Sequence, residues 1–94
     1  MLEMEKDIEK AVVTWAKANG FLALKFTPKG DKGWPDRIFI SPTGKHIWIE
    51  FKAPGKTPTK LQEKRICQLW NQGVDTYWFD DAIAAIDCLE GYMV

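Results

Sequence analysis

Residues 33–53 constrain the fold of this chain more than any other stretch. Two short runs rich in Ile, Phe and Trp, residues 33–40 and 46–53, flank a Ser-Pro-Thr-Gly turn at residues 41–44. Apolar runs on either side of a Pro/Gly turn predict a β-hairpin. The second run is apolar enough to form a central strand of a sheet, so each ionisable residue within it requires an explanation.

Side chains alternate between the two faces of a strand. One face of the second run therefore carries Ile47, Ile49 and Phe51, and the other carries Trp48, Glu50 and Lys52. An acid and a base side by side in such a strand are costly to bury unless they are paired or bind an ion. Asp36 opens the partner strand, and the short turn brings it close to Glu50. Two converging carboxylates repel each other, and a divalent cation relieves that repulsion. An adjacent lysine suits a phosphate or a hydroxide nucleophile.

These residues resemble a known nuclease pattern. Asp36 follows a proline, and thirteen residues separate it from the sequence Glu50-Phe51-Lys52. This arrangement resembles the PD-(D/E)XK nuclease pattern. The longer sequences at residues 33–36 and 49–62 are similar to the virus-type replication-repair nuclease (VRR-NUC) branch of that superfamily. The resemblance covers nearly the whole chain, because a minimal member of that branch has a similar length.

The resemblance implies a reaction and a set of residues. It implies metal-assisted hydrolysis of a phosphodiester, in which Asp36, Glu50 and the carbonyl oxygen of Phe51 hold Mg²⁺ or Mn²⁺. Lys52 would orient the attacking water or offset charge in the transition state. Gln62 matches the glutamine of the family pattern and would help to position the water or the phosphate. A buried amide that is satisfied by the backbone is the alternative for Gln62.

The first helix is expected to supply a further carboxylate. Apolar residues recur at helical spacing between residues 3 and 19, and Gly20 ends the run. In the superfamily the first helix commonly lends a glutamate to the metal site. The resemblance assigns this role to Glu9, eleven residues before Gly20. Glu5 and Asp7 are substitutes, and an ordinary solvated charge is the alternative.

Charge is distributed unevenly along a chain whose formal net charge is zero. Residues 25–65 contain ten Lys and Arg against four acidic residues, whereas residues 66–94 contain five acidic residues and no Lys or Arg. The basic middle predicts a DNA-binding face, with an ordinary solvated surface as the alternative. The lysines expected to contact DNA are Lys25, Lys29, Lys32, Lys56, Lys60 and Lys64. For Lys25, an exposed position at the sheet edge is an equal alternative.

The loop at residues 29–34 is expected to be mobile and to contact DNA, because it contains two glycines and two lysines. Trp34, at its end, is expected to pack in the core. Stacking on a base and contact with a second subunit are the alternatives for Trp34.

The remaining elements complete an α/β fold. The sequence predicts a first strand at residues 21–26, a helix at residues 60–72, a strand at residues 75–79 and a last helix through residues 82–89. Thr59 is expected to cap the second helix, and Asp80 or Asp81 the last one. The order α-β-β-β-α-β-α predicts a small mixed β-sheet flanked by helices, in one domain spanning residues 1–94. The resemblance also implies this restriction-endonuclease-like core.

A module this small buries only about 600–1,000 Å² on DNA, so sequence-specific restriction is not expected. The resemblance implies branched DNA as the substrate, because stand-alone proteins similar to this one act on it. Holliday-junction resolvases share the spacing of the first-helix glutamate. Because a four-way junction has twofold symmetry, a homodimer serving replication or repair is the expected form. The alternatives are a flap or single-strand nuclease, a non-catalytic DNA-binding module of the same fold, and a structural Glu50–Lys52 pair in an unrelated α/β domain.

The sequence gives no indication of a membrane or zinc protein. No apolar run reaches the length of a membrane span, and residues 1–5 do not resemble a signal peptide. We therefore expect no membrane partner and an intracellular location, in a bacterium or a phage-infected host. Cys67 and Cys88 with the single His46 cannot build a usual zinc site, and are expected to be reduced packing residues.

Overall fold

The computed structural model describes residues 4–94 and confirms the predicted order of elements. Glu3, where the first helix was expected to begin, lies outside the described residues. The helices are α1 (Glu5–Ala18), α2 (Lys60–Asn71) and α3 (Ala82–Glu90). The strands are β1 (Leu22–Lys25), β2 (Arg37–Ile40), β3 (His46–Phe51) and β4 (Asp75–Phe79). Throughout residues 4–94, every helix is too short or too polar to span a lipid bilayer.

The four strands form one mixed sheet in the order β1-β2-β3-β4. The first three strands run antiparallel to one another, and β4 is parallel to β3. The predicted hairpin is therefore present, and its second strand is central. In its register Phe39 lies opposite Ile47, and Arg37 lies opposite Ile49. Gly44 closes the turn with a φ of 88°, a conformation that favours glycine.

The hydrophobic core lies between the sheet and the two helices α1 and α3. The inward face of β3 contributes Ile47, Ile49 and Phe51, each fully buried, as the alternation of side chains predicted. Helix α1 contributes Ile8, Val12 and Ala16, and α3 contributes Ala85 and Leu89. Burial of these side chains fixes which way β3 faces, so Trp48 and Glu50 must project from the opposite face.

That opposite face is covered unevenly. Helix α2 packs against β4, and the side chain of Gln62 in its first turn reaches Glu50. Near the other edge of the sheet, Leu22 and Leu24 of β1 remain 59% and 46% exposed. They share this face with Ile38 and Ile40, which lie opposite them on β2. The sheet therefore presents an apolar surface at its β1 edge.

Polar side chains cap the N-termini of α2 and α3. Thr59 caps α2 by accepting the N–H of Gln62 at 3.2 Å, as predicted. Of the two candidates for the cap of α3, Asp81 accepts the N–H of Ala84, whereas Asp80 accepts the N–H of Gly55. Asp80 thereby ties the loop after β3 to the end of β4.

Candidate active site

The structure brings Asp36 and Glu50 together. Asp36 directly precedes β2, and the pairing of Arg37 with Ile49 places positions 36 and 50 opposite each other on neighbouring strands. Asp36 Oδ2 accepts the backbone N–H of Phe51 at 3.1 Å, which fixes the carboxylate against β3. The Phe51 side chain lies in the core, so only its main chain is available to the site.

Burial dominates the electrostatics of this carboxylate pair. Glu50 is only 2% exposed. Desolvation raises the pKa of Glu50 to about 8, and repulsion from Asp36 adds to the increase while Lys52 opposes it. Desolvation also raises the pKa of Asp36, and the hydrogen bond from Phe51 opposes that shift. Without a cation, the pair therefore favours holding a proton near neutral pH.

The two oxygens of Glu50 have different surroundings. Oε2 accepts a hydrogen bond from Gln62 Nε2 at 3.0 Å and lies 4.0 Å from Lys52 Nζ. Oε1 is buried and has no hydrogen-bond partner. A buried oxygen of an ionised carboxylate is costly without a partner, so either a proton shared with Asp36 or a bound cation must compensate it.

Gln62 has two functions in one side chain. Its Oε1 accepts the backbone N–H of Thr59 at 2.8 Å, completing the capping box of α2. Its Nε2 donates to Glu50. The backbone satisfies only one end of the amide, so the alternative for Gln62 holds in part, and its predicted contact with a water or a phosphate stays a prediction.

The structure gives the three acids of the first helix different partners, and the predicted metal-binding role of Glu9 stays a prediction. Glu9 Oε2 accepts Arg37 Nε at 2.6 Å, in an ion pair whose side chains are each 17% exposed. Asp7 accepts the backbone N–H of Met4 at the start of the helix. Glu5 is the acid without such a partner within residues 4–94, and its pKa is raised by burial and by the charge of Asp36. Arg37 is the residue that sequence reasoning missed here; its position next to Asp36, but on the other face of β2, is the signal that could have revealed it.

The carboxylates fit a divalent cation only in part. Within residues 4–94, no three His, Cys, Asp or Glu side chains are grouped closely enough to hold a metal ion. Asp36 and Glu50 nevertheless have the chemistry that such a cation requires, namely two hard oxygen donors, mutual repulsion and one buried oxygen without a partner. Further oxygen donors are the Phe51 carbonyl, which the sequence predicts, and the helix acids Glu5 and Glu9, whose charges act on Glu50 and Asp36.

The lysines predicted to contact DNA are all exposed or at the sheet edge. Lys25 ends β1 opposite Arg37, and its side chain is exposed. Lys60 and Lys64 lie on α2, and Lys56 lies in the turn closed by its N–H to the carbonyl of Ala53. Lys29 and Lys32 lie in the loop that precedes Asp36. Exposure permits contact with a phosphate backbone, and the contacts themselves stay a prediction.

The expectation of a mobile loop at residues 29–34 is not supported, because Arg65 of α2 fastens it. Its guanidinium forms a 2.8 Å ion pair with Asp31, donates to the carbonyl of Lys32 at 3.0 Å and lies 4.5 Å from the centre of the Trp34 ring. Beneath it, Gly33 adopts a φ of 87°, and a Cβ there would lie 2.6 Å from Leu61 Cγ. Sequence reasoning missed Arg65, because its contacts are more than thirty residues away along the chain.

Comparison with known proteins agrees with this architecture. No family model matches the chain. A protein named "Putative nuclease p44", from Acyrthosiphon pisum secondary endosymbiont phage 1, is 41% identical over 69 residues, which cover 73% of this chain and 74% of that protein.

Two solved structures are also similar. One, described as "VRR_NUC domain", has a TM-score of 0.84 at 22% identity and covers 94% of this chain and 96% of its own. The other, described as "VRR_NUC domain protein", has a TM-score of 0.79 at 20% identity and covers 98% and 89%. At such identities these two structures show the shared fold, and the phage relative adds the relationship in sequence. The chain belongs to the VRR-NUC nuclease family.

Proposed function

We propose that this protein is an Mg²⁺- or Mn²⁺-dependent endonuclease that hydrolyses phosphodiester bonds in branched DNA. The observation that supports the proposal most is Glu50, a buried carboxylate opposite Asp36 with one unpartnered oxygen. Once Glu50 is ionised, a purely structural role would leave this oxygen without compensation, whereas a bound cation supplies it. The phage relative is named as a nuclease, and its similarity extends over most of this chain.

The ion would be held by Asp36, Glu50 and the Phe51 carbonyl, with Glu5 replacing the predicted Glu9. When bound, the ion would act as a Lewis acid that offsets the charge of the phosphate and lowers the pKa of a bound water. Lys52 lies beside Glu50 with its side chain only 14% exposed, so its charge is poorly screened. It would stabilise the negative charge that develops on the phosphate in the transition state. Gln62 holds Glu50 in position from the other side.

A homodimer is the form that suits a junction with two equivalent strands to cut. The apolar surface of Leu22, Leu24, Ile38 and Ile40 at the β1 edge is a candidate for the contact, because a twofold interface must be self-complementary and two apolar surfaces meet this condition. Replacing Leu22 and Leu24 by glutamate tests this surface. We expect sedimentation to report a dimer for the wild type and a monomer for the variant.

The test of activity uses a labelled four-way junction beside duplex, flap and single-strand DNA. Each substrate is incubated with Mg²⁺, with Mn²⁺ and with EDTA, for the wild type and for Lys52→Ala. Lys17→Ala, an exposed lysine in the last turn of α1 that is not among the predicted DNA contacts, is the matched control for loss of a positive charge. Paired symmetric cuts near the branch that disappear with EDTA and with Lys52→Ala, but remain with Lys17→Ala, are the expected result.

Other outcomes decide among the alternatives. Preferential cleavage of the flap or of single strands would retain the nuclease and replace the junction as its substrate. Binding of these DNAs without cleavage in either metal would reject the enzyme in favour of the non-catalytic DNA-binding module.

A further inference from the structure

A depression of about 330 Å³ lies between Trp34, at the end of the loop at residues 29–34, and the second half of α2. It is lined by Trp34, Gln68, Leu69, Asn71 and Gln72. Its volume is at the low end of the range of about 300–1,000 Å³ found for small-molecule sites. The depression therefore has room for a single small planar group.

The lining combines one aromatic ring with three amides. Arg65 lies over the Trp34 ring and the edge of Phe26 approaches it, so the orientation of the indole is fixed. Gln68 Oε1 accepts Arg65 Nη1 at 3.1 Å, which leaves the amide nitrogen of Gln68 available. Within residues 4–94, the side chains of Asn71 and Gln72 make no hydrogen bond to other protein groups. An oriented aromatic ring with free amide donors and acceptors matches a nucleobase, which has a flat face and a polar edge.

The electrostatics favour a base that carries its phosphate. None of the lining residues is acidic, and the nearby Asp31 is already paired with Arg65. Because the Arg65–Asp31 pair is neutral overall, the positive charge at this place is that of the exposed Lys32, which attracts an anionic backbone. A neutral peptide or an uncharged metabolite would make no use of this charge.

The depression is also at a suitable distance from the carboxylates. Trp34 precedes Asp36 by two residues, and Asn71 and Gln72 follow Gln62 by nine and ten residues along α2, or about 14 Å along the helix axis. A DNA strand advances about 3.4 Å per nucleotide in a duplex. A base bound by these two amides would thus belong to a nucleotide about four steps from the phosphate at the carboxylates.

We propose that this depression binds one unpaired nucleobase of the DNA substrate, stacked on Trp34 and hydrogen-bonded by the amides of Asn71 and Gln72. The proposal rests on the proposed nuclease function and adds a basis for the choice of substrate. Branched DNA exposes unpaired bases near the branch, whereas a continuous duplex keeps its bases stacked. The site would therefore favour branched over continuous DNA without reading a sequence.

The experiment places the fluorescent base 2-aminopurine at each of the first few nucleotides from the branch of a four-way junction and of a flap. Binding is followed in EDTA, so that no cleavage occurs, and total affinity is measured separately by anisotropy. We compare the wild type with Trp34→Leu and with the double variant Asn71→Ala, Gln72→Ala. Trp15→Leu is the matched control, because Trp15 lies on α1, packs against the core on the opposite face of the sheet and does not line the depression.

We expect the wild type and Trp15→Leu to change the fluorescence at one position near the branch, and Trp34→Leu to abolish the change. The double variant alters only exposed side chains, so it keeps its fold, and should bind branched DNA about tenfold more weakly with unchanged affinity for duplex. The proposal is overturned if no position responds while anisotropy shows binding, if both variants behave as the wild type does, or if branched DNA is not bound.

Cleavage by the wild type in Mg²⁺ or Mn²⁺ is scored independently. Cleavage without a fluorescence response would reject the base site and leave the nuclease proposal standing. A response without cleavage would support the base site and reject the nuclease.

Discussion

Gln62 donates its Nε2 to Glu50 Oε2 at 3.0 Å while its Oε1 accepts the backbone N–H of Thr59 at 2.8 Å. The second contact determines which end of the amide carries the oxygen, so the NH₂ group must face the carboxylate. The start of α2 and the candidate active site are thus joined through a single side chain. Any movement of this helix end changes the hydrogen bond to Glu50.

Because Gln62 contacts both Glu50 and the start of α2, variants of Gln62 and of Thr59 should differ in cleavage rate while both lose stability. Gln62→Ala should lower the rate of cleavage about tenfold, because Glu50 loses its amide donor, and should also weaken the start of the helix. Thr59→Ala removes the other half of the capping box and should cost about 1 kcal/mol of unfolding free energy. It should change the cleavage rate only slightly. Equal loss of activity in both variants would show that Gln62 acts only through the helix.

Glu50→Gln should abolish cleavage and stabilise the metal-free protein. Desolvation raises the pKa of Glu50 to about 8 from an ordinary value of 4.5. Between these two values the folded protein binds more protons than the unfolded chain, so stability falls as the pH rises through this interval. Because glutamine does not ionise, the stability of Glu50→Gln does not fall over this pH interval. In EDTA we expect little difference between the proteins at about pH 4.5 and a gain of up to about 5 kcal/mol for the variant above about pH 8.

Thermal unfolding across this pH range provides the measurement, with the exposed Glu63→Gln as the control. Mn²⁺ should raise the melting temperature of the wild type and leave that of Glu50→Gln unchanged. A variant that is less stable than the wild type at high pH would argue that the buried carboxylate is compensated by contacts other than a cation.

Exchange of Glu5 and of Glu9 for glutamine should give opposite results. Glu5→Gln should weaken Mn²⁺ binding in calorimetry with little change in melting temperature, because Glu5 forms no ion pair within residues 4–94. Glu9→Gln leaves the half-buried Arg37 without its partner, and should cost about 1–2 kcal/mol of unfolding free energy. Loss of metal binding with unchanged stability in Glu9→Gln would restore Glu9 as the ligand.

Gly33 should tolerate substitution less well than Gly30, although both have positive φ. Gly30→Ala meets no atom within 4 Å and should cost about 1 kcal/mol for its backbone conformation alone. Gly33→Ala adds a close contact with Leu61 and should cost at least about 2 kcal/mol. Chemical denaturation measures both, and Leu61→Ala in the Gly33→Ala background should recover part of the loss. Equal costs for the two glycines would mean that the loop moves away from α2 without penalty.

Local patterns in the sequence were sufficient for the elements and for the carboxylate pair. The alternation of apolar residues in β3 reports directly which side chains are buried, and a two-stranded hairpin with a short turn leaves one arrangement for Asp36 and Glu50. Thr59 likewise capped α2 as predicted, because capping depends on residues only three positions apart.

Partners that are distant in sequence could not be predicted in the same way. Glu5 and Glu9 lie one turn apart on the same side of α1, so helical periodicity does not distinguish them. Arg37, on a neighbouring strand, decides which of them is neutralised. The composition of residues 29–34 indicated a mobile loop, whereas Arg65, far along the chain, holds it. The composition of a segment indicates its local conformational preference and gives no information about contacts with residues far away in the sequence.

The pairing of Phe39 with Ile47 has a consequence for how this hairpin tolerates insertions and deletions. If one extra residue at residues 41–45 were absorbed by sliding β3 past β2, Glu50 would be carried into the hydrophobic layer and Ile49 out of it. A slide of two residues would return each side chain of β3 to its original face of the sheet, but Asp36 and Glu50 would no longer lie opposite each other. Changes in turn length are therefore compatible with the carboxylate pair only when the loop bulges and the strands stay in place. Two apolar residues without any chemistry of their own thus limit the paths by which this domain can acquire a longer turn.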